Sequence, residues 1–92
     1  MCSEYRMITL HIQNKKGLHA RAASAFVKEA DKYRAEIWVE KDGQRVSGHS
    51  IMGLMMLAAA QGTSIKVLTS GIDAAEAQKG LADLVNAKFF EE

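Results

Sequence analysis

The sequence predicts an α+β fold: a two-layer open-faced sandwich, with a four-stranded antiparallel sheet covered on one face by three helices, in the order β-α-β-β-α-β-α. Three observations lead there. Segments in which apolar and polar residues alternate are interleaved, in that order, with segments whose apolar residues recur at helical spacing. Asp42-Gly43 separates two of the extended segments and is a strong signal for a tight hairpin, because both residues tolerate positive φ. Ninety-two residues, 48% of them apolar, suffice for one core and not for two, so residues 1–92 read as a single domain. That element order leaves one sheet face for helices to cover, which favours two layers over a doubly wound sheet.

Tyr5 to Ile12 alternates, with Ile8, Leu10 and Ile12 on one side and Met7, Thr9 and His11 on the other. The strand ends near Gln13, and Asn14 to Gly17 has turn composition. From His19 the period becomes helical, with Ala20, Ala23, Phe26, Val27 and Ala30 as the apolar stripe. Ala35 to Glu40 is extended around Ile37 and Val39, and Gln44 to Val46 is its hairpin partner. Ser47 to Ser50 breaks the pattern. Ile51, Leu54, Met55 and Ala58 then mark a second helix, with Ser50 as N-cap and an end near Gln61-Gly62. Thr63 to Thr69 is a strand directing Ile65 and Val67 to the core. Asp73 with Glu76 three residues on resembles a capping box for a last helix carrying Ala77, Leu81, Leu84 and Val85. Gly53 and Gly80 fall inside proposed helices, where glycine is unfavourable.

Composition removes several function classes. Twelve basic residues against eleven acidic ones leave a formal charge of +1, unlike the one-signed surface expected of a nucleic-acid or anionic-membrane binder. There is no aromatic-rich strand pair for base stacking. The most apolar run, Ile51 to Ala60, is too short to span a bilayer, and no basic segment followed by an apolar core marks a secretion signal. Cys2, the one cysteine, suits a reducing compartment and reads as an idle thiol. The expectation is a soluble, cytoplasmic protein, monomeric when free, without stable membrane insertion or nucleic-acid partner.

His19 is the leading candidate for chemistry. It stands at the first turn of a helix, just after Lys15-Lys16-Gly17-Leu18, where a neutral imidazole offers a nucleophilic nitrogen near orphan amides. A phosphoryl group there would meet the positive end of the helix, with the N–H groups of Ala20 and Ala22 in the supporting turn and Arg21 as a forked donor. The same spacing also suits an ordinary polar residue near an N-cap. His11 and His49 are scattered, with no carboxylate or thiolate at ligand spacing, so no metal site is expected. Gly48 to Gly53 lacks the lysine and hydroxyl of a phosphate-binding loop, so neither nucleotide nor other cofactor is expected. Met52, Met55 and Met56 fit core filling at helical spacing or an adaptable docking surface equally well.

Gly17-Leu18-His19-Ala20-Arg21-Ala22-Ala23, followed by Phe26-Val27, resembles the active-site segment of the phosphocarrier protein HPr family of the bacterial phosphotransferase system. Ser50-Ile51-Met52-Gly53-Leu54-Met55-Met56-Leu57 resembles the family's second signature, around its regulatory serine. The resemblance implies a phosphoryl carrier rather than a stand-alone enzyme. It implies His19 as acceptor through Nδ1, Arg21 as active-site arginine, and Ser50 as the target of a serine kinase/phosphorylase. It further implies an upstream phosphohistidine donor enzyme, downstream acceptor domains, and an apolar docking face near the second helix. Ala22 departs from the pattern, since most members carry proline there and this chain has none. A reading from another class is a regulatory binding protein whose phosphorylation state sets its affinity for a kinase, transporter or metabolic enzyme.

Overall fold

The computed structural model describes residues 5–90; Cys2 lies outside them. The elements are β1 (Arg6–His11), α1 (Ala20–Ala30), β2 (Glu36–Lys41), β3 (Gln44–Ser47), α2 (Ile51–Met56), β4 (Ser64–Ser70) and α3 (Ala74–Asn86). The strands form one sheet in the order β1-β4-β2-β3, with every neighbouring pair antiparallel. The predicted α+β open-faced sandwich is the observed one.

The registers show why the alternation was informative. Leu10 faces Ile65, while Val39 and Ile8 flank Val67 on either side. These apolar residues lie on the covered face and join Phe26, Leu54, Leu81 and Val85 in one core. The β2–β3 hairpin turns at Asp42 and Gly43, with φ of 52 and 82, the positive values the Asp-Gly pair predicted. The helices pack on one another as well as on the sheet, α1 lying against both α2 and α3.

Several expectations are corrected. The stripe of α1 runs through Ala22, Ala23, Phe26 and Ala30, whereas Ala20 is exposed at the helix start. Helix α2 ends at Met56 instead of near Gln61, because Ala58 adopts φ 51 and turns the chain out of the helix. That turn aligns the Ala59 carbonyl to accept from Leu18 N at 2.8 Å, and Gly62 N donates to the Ile12 carbonyl at 2.8 Å. The segment after α2 thus serves as a wall for the loop after β1. In α2 the buried residue is Leu54, with Leu57 just beyond the end, while Ile51, Met55 and Ala58 of the expected stripe are exposed. Asp73 makes no side-chain cap for α3. Its carboxylate instead accepts from Arg34 N at 2.7 Å, and Asp73 N donates to the Arg34 carbonyl, tying the α1–β2 loop to the start of α3. Gly80 inside α3 lies under the Tyr33 hydroxyl and the Glu29 carboxylate, which a Cβ there would displace.

Candidate functional site

The loop leading into α1 is held from three sides before it reaches His19. Asn14 is fully buried, donates from Nδ2 to the Gly17 carbonyl at 2.8 Å, and accepts at its own carbonyl from Gly17 N at 3.1 Å. Gly17 has φ +64, and a Cβ on it would overlap the Ala59 carbonyl and lie 2.9 Å from Ala60 Cα. Only glycine allows this approach without moving backbone. Leu18 is buried and bonded to Ala59. The chain therefore arrives at residue 19 with little freedom left.

His19 is the N-cap of α1, with extended backbone at φ −83 and ψ −174. Its carbonyl accepts the first helical bond from Ala23 N at 2.8 Å, and its Nδ1 accepts from Ala22 N at 3.4 Å. The imidazole is half-buried. Arg21, two residues on, is exposed, while Ala22 directs its methyl into the core. Ala20 and Ala22 therefore differ: both amides belong to the first turn, but only Ala22 bonds to the histidine ring among the contacts of these two. Lys15 and Lys16 are exposed just upstream. A nucleophilic nitrogen, a helix N-terminus and cationic side chains thus occur within one short stretch, an arrangement suited to an anionic, phosphorus-centred group.

Ser50 caps α2 in the expected way. Its Oγ accepts from Gly53 N at 3.0 Å and its carbonyl from Leu54 N at 3.0 Å. Beyond it, Met52, Met55 and Met56 are all exposed, at 71%, 41% and 65%, and Ile51 is exposed beside them. The core-filling alternative for these methionines therefore does not hold; the short helix turns Leu54 to the core and leaves the three methionines to solvent. Because α2 packs beside α1, this apolar surface belongs to the same layer as His19.

The match of the chain to a family model decides what this arrangement serves. Residues 7–87 match the family described as the phosphotransferase-system HPr component phosphorylation site. The chain belongs to the HPr family. It is 53% identical over 83 residues to the phosphocarrier protein HPr of Neisseria meningitidis, covering 90% of this chain and 93% of that one. It is 42% identical over 76 residues to the HPr-like protein Crh of Bacillus subtilis, covering 83% and 89%. Its fold superposes on a crystal structure of HPr-C-His from Thermoanaerobacter tengcongensis with a TM-score of 0.91 and 48% identity, covering 95% and 98%. As an HPr protein it carries a phosphoryl group on histidine within the phosphotransferase system, between other components of that system, and is an intermediate rather than a stand-alone enzyme.

The other two histidines of this HPr protein have partners on other elements. His11 Nδ1 pairs with Ser64 Oγ at 2.7 Å across β1 and β4, and His49 Nδ1 lies 2.7 Å from Asp31 Oδ1, joining the α2 approach to the end of α1. Among the described residues there is no group of three or more side chains that could hold a metal ion, and no helix long and apolar enough to cross a membrane. Sequence reasoning missed Asn14 as a positioning residue. Its signal was present in the turn Asn14-Lys15-Lys16-Gly17, where asparagine is a natural residue to bond its own backbone.

Proposed function

We propose that His19 is the residue of this chain that carries the phosphoryl group, on Nδ1, receiving it from the phosphohistidine of the general donor enzyme and passing it to a histidine of a downstream acceptor domain. The observation that supports this most directly is the placement of Nδ1 against the first turn of α1. There the phosphoryl oxygens meet amides that lack intrahelical partners, in the turn that carries Ala20, Arg21 and Ala22. Transfer is in line: the Nδ1 lone pair forms the new P–N bond as the bond to the donor nitrogen breaks, and the donor imidazole keeps the electron pair. Positioning and charge neutralisation supply the rate, with the Arg21 guanidinium binding two oxygens as a fork. Met52, Met55 and Met56 form the adaptable docking surface. Ser50 is the regulatory site of a serine kinase/phosphorylase, since a phosphate there would sit at a helix start and alter the charge of that surface. The protein acts in the cytoplasm as a single-domain monomer.

The test is phosphorylation of His19→Ala by the donor enzyme and phosphoenolpyruvate, read by intact mass. The variant is expected to fold, because the side chain is half-buried at a helix start, and to gain no phosphoryl mass. Undiminished acid-labile phosphate on the variant would remove His19 from the role. The exposed Ile51–Met56 surface also favours a second reading, a regulatory binding protein. Passage of labelled phosphoryl groups through the protein to an acceptor supports carriage; retention of label with altered protein capture supports regulation.

A further inference from the structure

The Ala22 amide is bound to the reactive group itself. A capping side chain ordinarily offers an oxygen to the amide two or three residues on; here the acceptor is the imidazole, 3.4 Å from Ala22 N at Nδ1. An amide only donates, so Nδ1 accepts, and in the neutral ring the one proton sits on Nε2. That is the tautomer whose lone pair is on the nitrogen to be phosphorylated. The contact is longer than the usual range for N–H donors, and it engages the lone pair that has to attack phosphorus. It must therefore be exchanged during transfer, and its length makes the exchange easy. The amide cannot follow the ring, because the Ala22 methyl is wholly buried and the next amide, Ala23, is committed to the His19 carbonyl.

We propose that the backbone N–H of Ala22 is a positioning group with two states: in the unloaded protein it donates to His19 Nδ1 and holds the ring proton on Nε2, and in the loaded protein it donates to a phosphoryl oxygen on Nδ1. The proposal rests on His19 being the acceptor. No proton moves in the exchange; the Nδ1 lone pair forms the P–N bond, the Nε2 proton stays, and the amide passes from nitrogen to oxygen. The start of α1 is capped in both states, so loading does not expose an unsatisfied amide. Any residue other than proline at position 22 supplies this donor.

The experiment uses uniformly nitrogen-labelled full chain, with the site of loading mapped by mass spectrometry. In unloaded wild type the His19 ring nitrogens are expected to show the Nε2–H tautomer. On loading, the residue 22 amide proton is expected to move downfield. Ala22→Gly keeps the N–H and should show the same shift. Ala22→Pro lacks it, fits the φ of a first turn, and should lose phosphoryl from loaded protein roughly tenfold faster, the scale of one hydrogen bond to a charged group. An unmoved residue 22 amide in protein loaded at His19 would overturn this proposal alone, as would equal tautomer populations and phosphoryl lifetimes in Ala22→Pro and wild type. Phosphoryl mapped to another residue would overturn the His19 assignment and this proposal with it. If Ala22→Pro fails to fold, the wild-type and Ala22→Gly spectra decide.

Discussion

Helices α1 and α2 both start at a side chain that caps them, yet the two caps differ in kind. Ser50 Oγ holds Gly53 N at 3.0 Å, an ordinary oxygen cap, whereas His19 Nδ1 holds Ala22 N at 3.4 Å. The helices behind them differ in the opposite sense. The eleven residues of α1 bury Ala22, Ala23, Phe26 and Ala30, while the six of α2 bury only Leu54. A helix anchored by a buried stripe tolerates a loose cap, so its start is available for chemistry. A short helix needs a firm one, since a single turn forms few hydrogen bonds for the residues it orders. On the function proposed above, the first of these two similar starts exchanges partners and the second holds the docking surface in place.

The sharpest way to break this comparison is Gly17→Ala, which acts on the α1 start alone. Alanine at φ +64 costs about 1–2 kcal/mol, and the added methyl meets Ala59 and Ala60 backbone, for a further ~1–3 kcal/mol of overpacking. Chemical denaturation should show that loss, and transfer to His19 should slow as the loop shifts. The Gly53 amide, bonded to Ser50, should keep its wild-type NMR shift. Wild-type stability in Gly17→Ala would show that the loop is not held as described. Arg21→Lys probes the same start without touching stability. It keeps the charge but loses the fork, so rapid-quench transfer should slow while the denaturation midpoint stays put. Equal transfer rates would remove Arg21 from the phosphoryl clamp.

How much of this contrast was legible in the sequence depends on how local its cause is. The cap at Ser50, the helix start at His19 and the Asp-Gly hairpin depend on neighbours a few residues apart, and they appear in the structure as expected. Asp73 was misread because its partner, Arg34, is 39 residues away and a long-range amide outcompeted the local one. The methionines were ambiguous because spacing over the expected helix, from Ile51 to near Gln61, did not show which face is buried, nor that the helix stops at Met56. Leu54 alone settles it, through packing that spacing does not reveal. The family signatures pointed to His19 and Ser50, but the imidazole contact with Ala22 depends on one side-chain orientation and had no sequence signal.

Ser50 supplies the converse perturbation. Ser50→Ala should lower stability by about 1 kcal/mol, the usual loss for a cap, with His19 still phosphorylated. Ser50→Asp keeps a capping oxygen and adds charge beside the exposed methionines, whereas Ser50→Asn caps without charge. If the docking partner presents acidic groups, only the Asp variant should receive phosphoryl more slowly, and added salt should restore part of its rate. Matching rates for Asp, Asn and wild type across a salt series, with enzymatically phosphorylated Ser50 behaving likewise, would reduce Ser50 to a structural cap.

The smallest effect is expected at the opposite end of α1, away from His19, where the comparison has its control. Tyr33 donates to Glu29 Oε2 at 2.7 Å, and Lys32 bonds the other carboxylate oxygen at 2.9 Å. The hydrogen bonds from Lys32 and then Tyr33 hold the Glu29 carboxyl below its usual range. The bond to Glu29, followed by desolvation, pushes the Tyr33 phenol up to about 12 from its ordinary 10.0. Tyr33→Phe should therefore lose under ~1 kcal/mol at neutral pH, a surface-pair magnitude, and leave transfer through His19 unchanged. The sign of the pH dependence follows from the raised value: the folded protein holds the phenolic proton more tightly than the unfolded chain does. The stabilising contribution is complete below pH 10 and is lost as the pH rises toward 12. Tyr5, raised by its hydrogen bond to Glu36, titrates in the same direction in both proteins and cancels when they are compared. The stability difference between wild type and Tyr33→Phe should shrink over that interval in chemical denaturation. A difference that stays constant from pH 9 past pH 11 would mean that the phenol–carboxylate bond does not tie down this end of α1 in solution.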